Sequence, residues 1–155
     1  VRFGEKVYSP IVTEGECDYI ISFEKLEAAR YAGCLRRGGK IIVNAQEIDP
    51  MPVITGVAEY PAAVLDDMKA KGFDVDDFDA LTPAVEAGSS KAVNIVLMGR
   101  FAACAEIPKE HWLKALEKVV KPQFIDVGES IQTVTPLLRI CRENLQASSR
   151  RWCRS

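Results

Sequence analysis

Two short apolar runs flank a helix-forming segment between Cys17 and Asn44, and that arrangement leaves few folds open. Asp18 to Phe23 has the length and β-rich character of a buried strand. Glu24 to Arg37 is rich in Ala, Leu, Glu, Lys and Arg, the residues that favour helix. Gly38-Gly39 is read as the stop of that helix, because Gly takes the left-handed cap conformation without a steric penalty. Lys40 to Asn44 is a second buried strand with Ile-Ile-Val at its centre. Strand, helix and strand in so short a span make a βαβ unit with parallel strands. Runs that are apolar throughout, rather than alternating, fit a sheet covered on both faces. The predicted fold is three-layer α/β/α with a mainly parallel, Rossmann-like sheet.

The flanking segments are read in the same way. Val1 to Ile11 predicts strand, turn and strand, with Gly4-Glu5 at the turn. After Asn44 an irregular stretch runs to Pro61; Pro50 and Pro52 exclude a central strand there, and Val53 to Thr55 is placed at a sheet edge. Pro61 opens a helix to about Lys71, ended by Gly72, with Val64, Leu65 and Met68 as its apolar stripe. The acidic run Asp74 to Asp79 is read as a solvated strand end or loop. It is no calcium loop, because Phe78, Asp79 and Val85 stand where an oxygen donor, a Gly and a Glu are needed. Thr82-Pro83 predicts a short helix with Thr82 as its cap, ending at Gly88. Ser89-Ser90 then caps a helix from Lys91 to about Cys104 that is apolar nearly all round, broken by Asn94 and Arg100. Such a helix is either a central core element or one that turns part of its surface to a partner chain. Further helices are expected from Pro108 to about Lys121 and from Thr135 to about Ala147.

Composition excludes several functions. A chain of 155 residues suits one domain, and 48% hydrophobic residues fill a core. The net charge of −2 gives no basic field for nucleic acid. No apolar stretch approaches the roughly 20 residues of a membrane helix. No signal peptide appears, so a cytoplasmic protein is expected. The five cysteines are scattered, with no C-x-x-C pair, and read as reduced, mostly buried thiols. The one histidine, His111, falls on the polar side of an amphipathic helix. No nucleophile elbow, zinc motif, phosphate loop or dinucleotide fingerprint occurs. The chain has no evident reactive set of its own, which points to a subunit whose chemistry lies elsewhere.

Several segments resemble the γ-type subunit or domain of the 2-oxoacid:ferredoxin oxidoreductases, most of all the β-subunit group of the indolepyruvate ferredoxin oxidoreductases. They are VRFGEKVYSPIV, GECDYIISFEKLEAARYAGCLRRGGKIIVNAQEIDP, AEYP at Ala58 to Pro61, and FDALTPAVEAGSSKAVNIVLMGRFA. The resemblance implies a γ-type domain over residues 1–147, followed by an atypical tail at 148–155. It also implies an enzyme that converts a 2-oxoacid (for this group an aryl pyruvate) and coenzyme A to an acyl-CoA, carbon dioxide and reduced ferredoxin, in anaerobic metabolism. Thiamine diphosphate, magnesium and the iron–sulfur clusters would sit on a large partner subunit, with none bound by this chain alone. Neither nucleic acid nor membrane is expected as a partner. The family's leading strand and Gly-rich G-x-G-G-Q-G turn are missing before Val1, so the sheet is expected to lack its first βα unit.

The residues matched to the family are Glu24, Glu27, Arg30, Asn44, Tyr60, Pro61, Asn94 and Gly99. Asn44 ends a parallel strand, at the edge where open α/β sheets place ligands, and is the candidate for an entrance or coenzyme A contact. The others are expected at interfaces or in structure; no residue is assigned a catalytic role. Two other readings stay open: a free-standing nucleotide-binding α/β enzyme, and a truncated remnant.

Overall fold

A computed structural model of the chain describes residues 1–86, 89–105 and 107–119. It divides into two compact units, with the boundary between Phe78 and Asp79. The first is built on three parallel strands, β1 (Cys17–Ser22), β2 (Leu35–Asn44) and β3 (Asp74–Phe78), in the order β1-β2-β3. The expected α/β fold with a parallel sheet is therefore observed. Ile41, Ile42 and Val43 of the central strand are wholly buried. Successive strand residues point to opposite faces, so both faces of β2 are covered, as its unbroken apolar run requires. Helices α1 (Lys25–Tyr31) and α3 (Val64–Ala70) lie on one face. There Ala28 and Ala32 meet Leu35, Ile41 and Val43, together with the Val64, Leu65 and Met68 stripe. Each such large side chain contributes roughly 1.5–3 kcal/mol on burial.

The helix between β1 and β2 is shorter than its composition suggests. It ends at Tyr31, a 3-10 turn covers Ala32–Cys34, and Leu35-Arg36-Arg37 already belong to β2. Helix propensity separates ordinary residues by only about 0.7 kcal/mol at most, and burying Leu35 outweighs it. Gly38-Gly39 is accordingly no helix stop. Cys17 pairs with Leu35 and Tyr19 with Lys40, so β2 bulges between those points. Gly38 takes a φ of +75° in the bulge. A Cβ on Gly39 would lie 2.8 Å from the Asp18 carbonyl oxygen and 2.8 Å from Leu35 Cδ1.

Three other expectations change. Val1 to Ile11 forms no strand: Phe3, Tyr8 and Ile11 are exposed, and the Arg2 guanidinium donates to the Ile11 carbonyl at 2.7 Å in place of a ladder. Val53 and Ile54 are helical, within α2 (Met51–Ile54). Pro50 is extended at its N-cap, and Pro52 falls in the first turn, where a missing amide costs nothing. The acidic run is a full edge strand, β3, whose Asp74 and Asp77 meet Lys40 at 2.8 Å and Lys69 at 2.6 Å.

In the second unit α4 (Leu81–Glu86) is capped by Asp79 rather than Thr82. The Asp79 carboxylate accepts the Leu81 amide at 2.8 Å and the Thr82 amide at 3.2 Å. The predicted end of this helix at Gly88 lies outside the described residues. Ser89 accepts the Lys91 amide at 3.3 Å, opening a 3-10 turn that leads into α5 (Val93–Ala102). Helix α6 (Lys109–Val119) follows Pro108 and leaves His111 exposed. Phe101 and Trp112 stack edge to face with centroids 5.5 Å apart. The helix expected from Thr135 and the tail at 148–155 lie outside the described residues. Among the described residues no helix is long and apolar enough to cross a membrane.

Candidate functional site at the carboxyl edge of the sheet

Ser22, Glu24 and Asn44 are buried polar residues, and all three stand at the carboxyl ends of β1 and β2. A buried polar group is costly unless it is bonded, and each of these is. Ser22 Oγ donates to the Glu24 carbonyl at 2.7 Å. The Glu24 backbone is extended, which aims its carboxylate back over the start of α1. There Oε2 accepts the Glu27 amide at 2.9 Å as a helix cap, and Oε1 accepts the Tyr60 hydroxyl. Asn44 Nδ2 donates to the Phe23 carbonyl and to Gln46 Oε1, each at 3.2 Å. Two further bonds close the edge: the Lys25 amide to the Gln46 carbonyl at 3.3 Å, and the Ala45 amide to the Phe78 carbonyl at 2.9 Å. Lys25 Nζ meets Glu47 at 2.8 Å.

The network ties four pieces of chain together: the β1–α1 turn, the end of β2, the end of β3 and Tyr60. Burial alone would raise the Glu24 carboxyl. The Leu26 and Glu27 amides and the Tyr60 hydroxyl outweigh it and hold the group below the usual carboxylate range. Burial, and after it the bond to Glu24, pushes Tyr60 far above the ordinary tyrosine value. At neutral pH the pair is thus a carboxylate and a neutral phenol. It is suited to holding geometry rather than to passing protons.

The expected site residues divide between the two units. Glu24, Asn44 and Tyr60 come together, and Pro61 follows Tyr60 on the surface. Glu27 and Arg30 pair at 3.2 Å on the open side of α1. Asn94 and Gly99 belong to α5; Asn94 is exposed with its Oδ1 on the Ile95 amide, and Gly99 is buried. Ser22 and Gln46 were not foreseen. Ser22 reads as one more strand residue and Gln46 as loop, and only the Ser-Phe-Glu turn out of β1 hints at a bonded corner.

Among the described residues no group of three His, Cys, Asp or Glu side chains could hold a metal ion. Cys17, Cys34 and Cys104 are half-buried. The Cys17 thiol donates to the Tyr19 carbonyl at 2.8 Å, and burial raises its pKa, which disfavours the thiolate a cluster needs. The described residues do not fit an iron–sulfur centre.

The profile of the pyruvate ferredoxin/flavodoxin oxidoreductases matches residues 1–132. The chain belongs to that family. Among curated relatives it is 41% identical over 135 residues to the indolepyruvate oxidoreductase subunit IorB of Thermococcus kodakarensis, and 37% identical over 136 residues to that of Pyrococcus horikoshii. The subunit IorB of Archaeoglobus fulgidus is 31% identical over 132 residues. Each alignment takes in 83% of this chain and 65–66% of the relative. The family member described here thus spans just under two thirds of the length of these relatives.

Proposed function

We propose that this chain is an accessory subunit of a 2-oxoacid:ferredoxin oxidoreductase that works in the cytoplasm. The substrates are an aryl pyruvate such as indolepyruvate, coenzyme A and oxidised ferredoxin, which takes up the two electrons released; the products are the acyl-CoA, carbon dioxide and reduced ferredoxin. The observation that carries the reading is the family match, together with relatives named as indolepyruvate oxidoreductase subunits. The carboxyl edge supports it chemically. Its buried Ser22 and Asn44 side chains are held by backbone carbonyls and by Gln46, and its carboxylate–phenol pair is fixed in one protonation state.

Thiamine diphosphate, magnesium and the iron–sulfur clusters are assigned to a larger partner subunit. Thiamine diphosphate supplies the electron sink for decarboxylation there. The edge also fits coenzyme A poorly: Asn44 is 1% exposed with its amide bonded within the chain, and Lys25 is engaged by Glu47. Asn44 is therefore assigned a positioning role, fixing the Phe23–Lys25 turn against the end of β2.

Reconstitution tests the reading. The chain is combined with the large subunit of such an oxidoreductase, and ferredoxin reduction is followed with indolepyruvate, phenylpyruvate, pyruvate and 2-oxoglutarate. Turnover is expected with the aryl pyruvates, coenzyme A and both subunits, and from neither subunit alone. Equal turnover by the large subunit without this chain would overturn it.

A further inference from the structure

Cys17 opens β1 and Cys34 closes the 3-10 turn before β2, and the fold brings the two side by side. Three contacts run along this corner. The Gly15 amide donates to the Gly33 carbonyl at 3.0 Å, Cys17 stands opposite Leu35 in the parallel ladder, and Asp18 meets Arg36 at 2.6 Å. Gly15 takes a φ of +73°, which turns the chain into the strand at this point. Both chain neighbours of Cys34 are thus fixed against Gly15 and Cys17. Paired strands lie about 4.8 Å apart and one residue along a strand adds about 3.3 Å, so the two Cα atoms stand roughly 6 Å apart. A disulfide spans Cα separations of about 4.4–6.8 Å. Strict strand alternation would send Cys34 to the face opposite Leu35, but Cys34 is a 3-10 residue and is not bound by it.

Both residues are half-buried thiols, within reach of a small oxidant. They lie at the amino end of β1, while Glu24, Asn44 and Tyr60 hold the carboxyl edge, so the pair belongs to no site described above. We propose that Cys17 and Cys34 form a reversible disulfide that locks the start of β1 to the turn before β2. Burial raises the Cys17 pKa most, the bond to the Tyr19 carbonyl opposes it, and a charge on Cys34 raises it further. Cys34 is therefore the attacking thiolate. It loses its proton and displaces one thiol from a low-molecular-weight disulfide, leaving a mixed disulfide. Cys17 then loses its proton, attacks the Cys34 sulfur and releases the second thiol. The chain gives up two electrons and two protons, and the small disulfide takes them up as two thiols. The loop so closed contains all of β1 and α1, and the bond restricts the unfolded chain there. This device stands independently of the function proposed above.

The test treats the full chain with oxidised glutathione, blocks the remaining thiols with N-ethylmaleimide and maps the tryptic peptides by mass. Cleavage after Lys6, Lys25, Arg30 and Arg36 puts the two cysteines on separate peptides, 7–25 and 31–36. The expected product is those two peptides joined, about 2 Da lighter than the sum of their thiol forms and separated by dithiothreitol. The urea midpoint of the oxidised chain should lie about 1 M or more above that of the reduced chain. Cys34→Ser should lose both the joined peptides and the shift; the wild-type peptide map decides the matter even where that variant is unstable. Separate glutathione adducts, unmodified thiols, or a bond from either residue to Cys104, Cys141 or Cys153 would overturn the proposal. So would joined peptides without a rise in the midpoint, or a rise that persists in Cys34→Ser.

Discussion

Helix α5 and the stretch from Ala45 to Tyr60 are both rich in apolar side chains, and the fold treats them in opposite ways. The helix was the sequence's candidate for a partner-facing element, yet it buries Val96, Leu97, Gly99 and Ala102, and of its large apolar side chains Met98 is exposed at 38%. It is not apolar-buried all round either, since Asn94 also faces out. The Ala45–Tyr60 stretch has two prolines and spaces Ile48, Met51, Ile54 and Val57 every third residue, and it exposes all four. Apolar content therefore says that a segment seeks cover, not where the cover comes from. What separates the two is how each meets its backbone bonds and which of its faces its own unit can reach.

The comparison is most exposed to failure at Leu97, which is wholly buried. Leu97→Ala should cost about 2–5 kcal/mol of unfolding free energy, read from urea titration. A cost near zero would mean that α5 is open in solution and that the contrast is false. Next in size is Gly39→Ala, which meets a backbone oxygen that cannot rotate away. A loss of about 1–3 kcal/mol is expected there, against almost none for Gly33→Ala, where the added Cβ meets nothing within 4 Å.

The Glu24–Tyr60 bond sharpens the contrast. Tyr60→Phe leaves a buried carboxylate oxygen without its donor, at about 1–3 kcal/mol. Amide exchange should quicken across Ala45–Tyr60 and stay unchanged in α5. The pH dependence has a definite sign. The folded pKa of Glu24 is depressed, so its contribution is fully present above the unfolded carboxylate value of about 4.3. It is lost as the pH falls from there through the lower folded value. The stability difference between wild type and Glu24→Gln should shrink over that acid range and hold constant above it; a difference that grew on acidification would reverse the assignment. The smallest effect belongs to Ile54→Ala, within about 0.5 kcal/mol in the isolated chain because the side chain is already in water. A loss as large as that of Leu97→Ala would show that stretch to be covered by the chain itself.

The nucleus of the fold was legible because Ile41-Ile42-Val43 has no polar side and must be covered twice. Asn44 was legible as an edge residue by position, since a parallel strand ends there. Other features were hidden for physical reasons. Leu35-Arg36-Arg37 are good helix formers, and only the pairing of Leu35 with Cys17 shows that they start a strand. Val53 and Ile54 are β-formers held helical by the prolines around them. The polar corner depends on bonds between residues distant in sequence, Asn44 to Phe23 and Tyr60 to Glu24, and such bonds leave no periodic trace.

The central claim is that the two apolar regions differ in cover, with α5 closed within the chain and the Ala45–Tyr60 stretch open to solvent. Hydrogen exchange of the isolated chain tests it most directly. The account predicts slow exchange of the α5 and β2 amides and faster exchange from Ile48 to Val57. Equal protection of Ile48–Val57 and α5 would contradict it.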